Sequence, residues 1–591
     1  MISIGLGLGL PFRNNYMQSV WSVLSLFAAG EQGVWYDPSD YTTMFQDSAG
    51  TTPVTAVEQP VGLLLDKSKG LVLGPELLGA YTTFNGATVV SGLITLTTTS
   101  ATDVYVQQSF TTVVGKTYLL TYRKITGVGV ASNLYFAIGQ TAGATQSYAG
   151  TQGTNPAGTY SIRFQATTTT TWIQIANITD TPTTTQLDSV STKLLDGNHA
   201  TQATSTKRPV LSARYNLLTK TEDFSSADWN DRTGTTPVAN TVLSPTGTLT
   251  GNTLSETATT GMHYVSHSVI SGIVGTSYRA FVYLKQGTSR YAGLDLSISN
   301  TTDRYSVIID LQTQTFASQS VSQLTNTSYV VEPLANGWTK LSISASTVNP
   351  TINIFAGVFL SDAATPTNWG QYQIPTYTGN TANNIYIWGA SLAPADQASL
   401  PYQRVNTATD YNAVGYKPYL KFDGIDDALA TGSIDFTSTD KMTVWSGVRK
   451  LSDAAIGIYV ELSAGAPSEL GVFNLYNINA AGSYAFGSKG SAQSSATTTS
   501  YSAPTTNVLT GIGAILTDVD ILRVNGTQSA TSSTDQGTGN YGNWPLYIGS
   551  RAGTSLPFNG NIYSLIVRGA QSTTPQVTNT ETYVNGKTGA Y

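Results

Sequence analysis

Hydrophobic and polar positions alternate along most of this chain. From residue 34 onward, short runs of Val, Ile, Tyr, Phe and Thr recur roughly every 8–12 residues and are separated by Gly, Asn, Asp and Pro. This spacing is typical of β-sandwiches rather than of alternating strands and helices. The sequence therefore predicts an all-β protein built from jelly-roll sandwiches.

The first 33 residues have a different pattern, which predicts a short strand followed by a short helix. Bulky residues alternate with Ser or Gly at Ile2, Ile4, Leu6, Leu8 and Leu10. A strand with one nearly bare face can dock closely on another backbone, so we interpret residues 1–33 as an attachment arm; the alternative is an ordinary edge strand. Helical spacing follows at Met17, Val20, Trp21, Leu24, Phe27 and Ala28, and is the one strong helix signal in the chain.

Two stretches of the chain resemble each other and predict a duplicated module. Residues 104–124 match residues 263–285 with slips of one residue at two places. The matched pairs are Tyr105 and Tyr264, Ser109 and Ser268, Gly115 and Gly275, Tyr118 and Tyr278, and Lys124 and Lys285. We interpret residues 71–193 and 216–405 as two copies of one β-sandwich, called here the first module and the second module.

When both modules are removed, the remaining segments read as the sequence of one continuous domain. The stretch "GLLLDKSKG" stops in the middle of a loop, and "LDGNHATQATSTKRPV" reads as its continuation. We therefore predict a discontinuous sandwich, the host domain, made of residues 34–70, 194–215 and 406–591. Insertion into surface loops costs little because the entropy of loop closure rises slowly with loop length.

Composition narrows the classes of function. Charged residues make up 11% of the chain and cysteine is absent, so disulfides and thiolate metal sites are excluded. A net charge of −6 without a basic run argues against nucleic acid as a partner. No apolar stretch approaches the roughly 20 residues of a membrane span, which argues against membrane insertion. The start of the chain lacks the features of a signal peptide, so we expect assembly inside a cell and release by lysis.

Four stretches of the host domain carry a family resemblance: "WYDPSD", "DKSKG" joined to "GNHATQATSTKRPVL", "YLKFDGIDDAL", and "PLYIGSRAGTSLPFNGNIYSLIVRG". They resemble the concanavalin A-like lectin/glucanase (laminin G-like) domains of bacteriophage virion proteins. The modules, through stretches such as "ANGWTKLSIS" and "IYIWGASLAPADQASLPYQ", are similar to the carbohydrate-binding-module-like jelly rolls of phage structural proteins.

The resemblance implies a phage virion appendage, of the tail-fibre or head-fibre type, on the outside of the tail or capsid after assembly in the host cytoplasm. Its arm would bind other virion proteins, and the chain would form a homo-oligomer, with a trimer favoured. Its lectin-like domains would adhere to host-surface polysaccharide through weak multivalent contacts. One alternative is a purely structural decoration of the capsid or tail, and a second is a polysaccharide depolymerase.

The arrangement of carboxylates argues against an enzyme. A glucanase of this fold needs paired carboxylates on one strand, one to attack and one to protonate the glycosidic oxygen. No glutamate in the chain has an Asp two residues further on. Asp518 and Asp520 have a suitable separation, but they precede an ordinary Asn-Gly hairpin, and we expect both to face solvent. We predict no catalytic residues.

Three aspartates form the densest acidic group, and a turn of this kind can supply two or three calcium ligands. They are Asp423, Asp426 and Asp427. The alternative is a plain Asp-Gly turn with solvated carboxylates, and we expect no other cofactor.

Two tryptophans near turns, Trp229 and Trp544, are the candidates for stacking on a sugar ring. Trp338 and Trp388 lie in motif strands and are predicted to be in the core. The three histidines, His199, His263 and His267, make no convincing metal cluster, and His263 and His267 are predicted to be polar surface residues.

Overall fold

The structure is a computed structural model that describes residues 21–99, 102–128, 134–152, 156–178, 182–270, 277–298, 303–346, 353–397, 400–465, 469–479 and 482–591. Six antiparallel sheets of five to nine strands form β-sandwiches there, which confirms the predicted all-β class. The proposed arm residues Ile2, Ile4, Leu6, Leu8 and Leu10 lie outside the described residues. None of the described helices is both long and apolar enough to span a bilayer.

The strands up to residue 195 fall in the first host segment and the first module. The host strands are β1 (Gly33–Tyr36), β2 (Met44–Phe45), β3 (Gln59–Pro60) and β4 (Leu63–Leu64). The strands of the first module are β5 (Leu73–Glu76), β6 (Thr82–Phe84), β7 (Thr88–Val90), β8 (Leu93–Thr98), β9 (Val104–Thr111), β10 (Thr117–Val128), β11 (Leu134–Gly139), β12 (Tyr148–Thr151), β13 (Gly158–Gln165), β14 (Thr170–Asn177) and β15 (Thr183–Leu195).

A short host segment and the second module follow. The host strands are β16 (Ala200–Thr201) and β17 (Val210–Ser212). The strands of the second module are β18 (Asp231–Thr233), β19 (Thr235–Val242), β20 (Gly251–Glu256), β21 (Thr260–Met262), β22 (Tyr264–Ile270), β23 (Ser277–Gln286), β24 (Tyr291–Ile298), β25 (Arg304–Asp310), β26 (Thr315–Ser322), β27 (Thr325–Pro333), β28 (Trp338–Ser346), β29 (Asn353–Ser361), β30 (Thr376–Thr378) and β31 (Asn384–Pro394).

The remaining strands and the α-helix belong to the last host segment. They are β32 (Tyr419–Asp423), β33 (Leu429–Asp435), β34 (Lys441–Lys450), β35 (Gly457–Leu462), β36 (Val472–Asn477), β37 (Tyr484–Lys489), β38 (Gln493–Thr497), β39 (Thr505–Ala514), β40 (Val519–Val524), β41 (Thr527–Ser532), β42 (Asn543–Ile548), β43 (Asn559–Arg568) and α1 (Thr574–Thr588). Short 3₁₀ helices lie at Val23–Leu26, Tyr41–Thr43, Ser205–Lys207, Ala335–Gly337, Ala395–Gln397 and Ile515–Thr517.

Strand pairing joins the three host segments in two nine-stranded sheets. The order β3-β17-β32-β43-β34-β39-β40-β41, with β1 on β43, forms one sheet. The order β2-β4-β16-β33-β42-β35-β36-β37-β38 forms the other. One apolar core lies between them and draws residues from all three segments, including Val61, Leu211 and Leu420. An interrupted sandwich requires this kind of pairing across the insertion points.

Hydrogen bonds rejoin the interrupted loop at the first insertion. The Asn198 amide donates to the Asp66 carboxylate at 2.8 Å, across a separation of 132 residues. The Asp66 amide in turn donates to His199 Nδ1 at 2.9 Å. Burial lowers the pKa of His199, and its Nδ1 acts as an acceptor, so the imidazole is neutral. The two halves of the loop therefore meet around a buried polar contact.

Each module is a separate sandwich with its own core. The first module pairs the β13-β10-β15-β8-β7 sheet, with β5 on β15, with the β12-β11-β14-β9-β6 sheet. The second pairs the β18-β22-β29-β24-β25-β26 sheet with the β19-β20-β31-β23-β28-β27 sheet. As predicted, Trp338 and Trp388 are buried, at 0% and 3% exposure.

Specific contacts fix both modules to the host domain. In the first module, the guanidinium carbon of Arg163 lies 4.0 Å from the centre of the Phe45 ring, and Arg163 Nη1 donates to the Gly50 carbonyl at 2.8 Å. At the second junction, buried Arg449 pairs with Asp396. Each module is thus held by more than its two chain crossings.

The helices differ from the prediction at both ends of the chain, although Met17 and Val20 of the predicted N-terminal helix lie outside the described residues. Within the described part of the predicted N-terminal helix, only Val23–Leu26 is helical, as a 3₁₀ turn that buries Val23 and Leu26 at three-residue spacing. The sequence reasoning also missed α1, which begins in a Thr573–Gln576 capping box and ends at Gly589. This helix covers the outside of a host sheet, where Val577 and Val584 join a small apolar cluster.

The predicted surface location of His263 and His267 was also wrong, because both are buried, at 0% and 7% exposure. His263 Nδ1 lies 2.7 Å from the Gly234 carbonyl oxygen, and His267 Nε2 lies 3.0 Å from the Thr219 hydroxyl. Their ring nitrogens satisfy polar groups between strands and loops, which the alternating pattern alone does not reveal.

Candidate functional site

The second module carries a polar cleft on the outward face of its β18-β22-β29-β24-β25-β26 sheet. The inward side chains of the same strands, such as Val265, Leu294 and Val307, lie in the module core. Successive side chains of a strand point to opposite faces. The polar residues that alternate with these apolar ones are therefore projected away from the core.

Strand register places the main cleft residues in one row across the sheet. Asp231 pairs with Ser266, Ser266 pairs with Gly357, and Gly357 pairs with Asp295. Ser306 continues the row beyond Asp295. Directly opposed residues in antiparallel strands have Cβ atoms about 4.5–5.5 Å apart, so the row is a continuous polar strip.

Gly357 forms the floor of the cleft because it has no side chain. A Cβ atom added there would lie 3.2 Å from the Ser266 Cβ and 3.7 Å from the Asp295 Cβ. Phe355 and Phe359 flank this glycine on the same face of β29. Gly357 therefore leaves a depression between two aromatic side chains.

Asp295 is a buried carboxyl at the base of the cleft, with 2% exposure. The Ser306 hydroxyl donates to its Oδ1 at 3.1 Å. Burial raises the pKa of Asp295 to about 7, while Ser297 and the positive charge of Arg304 act in the opposite direction. Near neutral pH this carboxyl is partly ionised, so it can accept a hydrogen bond from a ligand.

A turn formed by residues 368–376 closes one side of the cleft. The Gly370 amide donates to the Ile374 carbonyl at 2.8 Å, and Ile374 is buried on the sheet. Half-buried Tyr372 projects from this turn, and the guanidinium carbon of Arg304 lies 5.0 Å from the centre of its ring. A cation held over an aromatic ring in this way is kept in place on the cleft wall.

Asp231 forms the opposite wall and is half-buried. The Tyr264 hydroxyl donates to its Oδ1 at 2.8 Å, and the Ser266 hydroxyl donates to its Oδ2 at 3.4 Å. These two donors orient the carboxylate toward the cleft.

The lining suits a small polyhydroxylated ligand. The cleft opens to solvent and has a cavity volume of about 110 Å³, below the roughly 300–1,000 Å³ of enclosed ligand pockets, so it can take up part of a ligand whose remainder lies in solvent. Two carboxyls can accept hydrogen bonds from hydroxyl groups, a guanidinium can donate them, and aromatic side chains can contact the apolar face of a ring.

The structure overturns the prediction that Trp229 is a sugar-stacking residue. Its side chain is 0% exposed in the module core, with its ring centre 4.3 Å from that of Phe224. Its Nε1 donates to the Lys220 carbonyl at 3.0 Å. Position near a turn does not determine which way a ring points, and here the ring points inward.

Trp544 lies on β42 of the host domain and is half-buried against the host core. Its Nε1 donates to the Leu470 carbonyl at 3.0 Å. Its role in sugar binding stays a prediction, and it is remote in sequence and sheet from the cleft residues.

The structure brings Asp423, Asp426 and Asp427 together, with one carboxylate oxygen of each within 4.8 Å of the others. Asp423 Oδ1 accepts from the Ile425 amide at 2.8 Å, and Asp427 Oδ2 accepts from the Asp423 amide at 3.0 Å. Burial and the charge of Asp423 raise the pKa of Asp427 to about 7. A bound cation would relieve this repulsion, so the three carboxylates fit a calcium site.

Asp518 and Asp520 do not form a solvent-facing pair. Asp518 is half-buried, and its Oδ1 accepts from the Gln536 amide at 2.8 Å. Asp520 is 0% exposed, and burial raises its pKa to about 8. The expectation of two solvated carboxylates was therefore wrong, because the side chain of Asp520 points between the host sheets.

No protein-family model and no curated protein matches the chain. Solved structures match parts of it at low scores. The CBM40 domain of a Ruminococcus gnavus sialidase, bound to α2,3-sialyllactose, has 19% identity and a TM-score of 0.21, over 24% of this chain and 83% of that chain. Domains LG4-5 of the mouse laminin α1 chain have 14% identity and a TM-score of 0.23, over 54% and 88% of the two chains.

A putative carbohydrate-binding protein from Bacteroides ovatus has 11% identity and a TM-score of 0.21, over 54% of this chain and 79% of that chain. Scores at this level carry no inference about ligands. The class of the protein, an all-β chain of several sandwiches, comes from its own sheets.

The sequence reasoning missed the cleft, although a signal was present. In "YAGLDLSIS" and "DRYSVIID", Asp295, Ser297, Arg304 and Ser306 occupy alternate positions between apolar residues. This alternation places polar groups of two adjacent strands on the face opposite the core. Their alignment with Ser266 and Gly357, which are more than 25 residues away in sequence, depends on register that only the structure supplies.

Proposed function

We propose that this protein is a multidomain adhesin that binds carbohydrate through the cleft of its second module. The observation that carries the proposal is the row of Asp231, Ser266, Gly357 and Asp295, bordered by the Arg304–Tyr372 pair. Neutral or basic sugars suit the site better than acidic ones, because two carboxyls face the ligand.

The ligand would be one or two sugar units of a surface glycan. Asp231 and Asp295 would accept hydrogen bonds from sugar hydroxyls, and Arg304 would donate to a ring or hydroxyl oxygen. The face of the sugar ring would lie against Tyr372, above the floor at Gly357. A small cleft of this kind binds weakly, so adhesion would depend on several copies acting together.

For the biological setting, we propose a bacteriophage tail-fibre or head-fibre protein on the virion exterior. The sequence resemblances of the host domain and the modules support this setting. The arm, through Ile2, Ile4, Leu6, Leu8 and Leu10, would attach to other virion proteins, and a trimer would multiply the sugar sites. A purely structural decoration of the capsid or tail is the alternative.

Glycan-array binding by the full chain tests the proposed function. We expect wild-type protein to bind neutral or amino-sugar surface glycans. Tyr372→Ala removes a ring, and Gly357→Leu fills the floor, so each should weaken binding at least tenfold. Tyr329→Ala removes a 38%-exposed tyrosine from the opposite sheet of the same module and is the matched control. Wild-type protein that binds no glycan would favour the decoration role, whereas cleft variants that bind like wild type would refute the cleft as the binding site.

A depolymerase, the second alternative, is tested with the same protein. Incubation with bacterial surface polysaccharide should release no new reducing ends, in agreement with a non-enzymatic adhesin. Release that is lost in an Asp518→Asn, Asp520→Asn double variant would instead establish hydrolysis.

A further inference from the structure

The first module contains a sheet that is equivalent, strand by strand, to the cleft sheet. Its order β6-β9-β14-β11-β12 corresponds to β18-β22-β29-β24-β25. The registers agree as well. Tyr105 pairs with Ala176 where Tyr264 pairs with Phe359, and the Ser109–Trp172 pair replaces Ser268–Phe355. These are the positions that the sequence repeat aligns, so the outward faces of the two sheets can be compared residue by residue.

The equivalent row of the first module has lost its charged groups. Gln107 and Gln174 pair with each other where the second module has Ser266 and Gly357. Ala137 pairs with Gln174 at the position of Asp295. At the outer positions, Thr82 replaces Asp231 and Ala149 replaces Ser306. The row that holds a carboxyl-lined cleft in one module is therefore uncharged in the other.

The uncharged face carries aromatic and amide groups that are partly exposed. Trp172, Tyr105 and Tyr135 are half-buried on it, and Phe84 stacks on Tyr105 with ring centres 4.6 Å apart and an angle of 14° between the planes. The small side chain of Ala176 separates Tyr105 from Tyr135 across the sheet. Without the depression found at Gly357, this face is a platform rather than a cleft.

Two adjacent amides on the platform are available to a ligand. Gln107 and Gln174 are half-buried cross-strand neighbours, and within the described part of the chain neither side chain makes a hydrogen bond. The turn between β11 and β12 borders them, since a Cβ atom added at Gly143 would lie 2.9 Å from Gln174 Oε1. Each amide offers both donors and an acceptor, which is the pattern that neutral hydroxyl groups can satisfy.

We propose that this platform, centred on Trp172, Gln107 and Gln174, is a second binding site, specific for an uncharged polysaccharide in extended conformation. Sugar rings stack on Trp172 and on the tyrosine rings, and the two amides bond to hydroxyl groups along the chain. A platform without charges selects several consecutive neutral sugars, whereas the cleft selects one or two units through its carboxyls. The two modules thus bind different glycans.

Affinity electrophoresis of the full chain tests this site, with laminarin and yeast mannan as neutral polymers in the gel. We expect at least one of them to retard the wild-type protein. Trp172→Ala should weaken that interaction at least tenfold, and the Gln107→Ala, Gln174→Ala double variant should weaken it at least threefold. Tyr160→Ala, a half-buried tyrosine on the other sheet of the same module, is the matched control and should be retarded like wild type.

The double variant also guards against misfolding, because neither glutamine belongs to the module core. No retardation of wild type by either polymer would overturn the proposal, as would equal retardation of wild type and both platform variants, or an equal loss in Tyr160→Ala. Gly357→Leu should leave retardation unchanged. The proposals for the platform and for the cleft are therefore tested independently of each other.

Discussion

Replacing Asp520 by Asn should stabilise the host domain, and the gain should increase with pH. Asp520 lies on β40 with 0% exposure, and burial raises its pKa to about 8. Ser494 and Ala496 offset this effect in part, but neither makes a hydrogen bond of good geometry to the carboxyl. The native protein therefore keeps this carboxyl neutral up to about pH 8.

The expected size follows from the shift in pKa. A rise from 3.8 to about 8 is about 4 units, and each unit corresponds to about 1.36 kcal/mol. Between these two pH values the folded state binds a proton that the unfolded state has released, so the wild-type protein loses stability as pH rises and reaches a plateau above about pH 8. Asparagine has a similar shape and does not ionise. The stabilisation by Asp520→Asn should therefore be about 4 kcal/mol larger at pH 8 than at pH 5.

Differential scanning calorimetry of the full chain at pH 5 and pH 8 measures this difference. The host transition can be recognised as the one that moves in Val460→Ala, a variant of the host core. Asp535→Asn is the control, because Asp535 is exposed and asparagine can still accept the hydrogen bond from the Gly537 amide. An Asp520→Asn gain of the same size at both pH values would refute the reasoning, as would a loss of stability at pH 8.

Three further predictions concern the acidic turn, the cleft and a junction. Calcium should raise the Tm of the host transition in wild type but not in Asp427→Asn, because the ion would offset the repulsion that raises the Asp427 pKa. An equal shift of Tm in both proteins would contradict a calcium site at this turn. Glycan affinity of the second module should fall about threefold to tenfold from pH 8 to pH 6, because Asp295, with a pKa of about 7, gains a proton and loses a hydrogen-bond acceptor. Titration calorimetry should show that the affinity of Asp295→Asn depends less on pH than that of wild type. Arg449→Met should lower stability by about 1–3 kcal/mol, since it removes the charge-assisted hydrogen bonds that the buried guanidinium donates to Asp396 and Thr506. An unchanged denaturation midpoint would show that these bonds contribute nothing to stability.

The local pattern of the sequence was sufficient to predict the fold class and to detect the duplicated module. Strand alternation depends on neighbouring residues, so it is visible in a single sequence, and the match of residues 104–124 to 263–285 corresponds to equivalent strands in equivalent registers. The helix α1 escaped because its apolar residues are sparse: Val577 and Val584 stand seven positions apart among Thr and Asn. Its capping box, Thr573 to Gln576, was the one local signal, and it lay in a stretch otherwise typical of loops.

The functional residues were harder to predict because burial and register are properties of the whole sheet. Trp229 and Asp520 were expected at the surface, and both are 0% exposed. The cleft brings Asp231 next to Ser266, and Ser266 next to Gly357, through pairings that span 35 and 91 residues of sequence. No local pattern specifies which strands become neighbours, so the sequence showed polar strands without showing the cleft they form.

Insertion of the modules has a consequence for adhesion that a tandem arrangement would not have. A domain joined by one flexible linker explores a volume set by the length of that linker. Each module here is joined to the host domain at both ends and by side-chain contacts such as Arg163 with Phe45 and Arg449 with Asp396. The distance between the cleft and the platform is therefore set by the fold, and the gain from binding both is large only for a glycan surface whose spacing matches it. For the proposed adhesin, the insertions would make the arrangement of two sugars, rather than either sugar alone, the feature that is recognised.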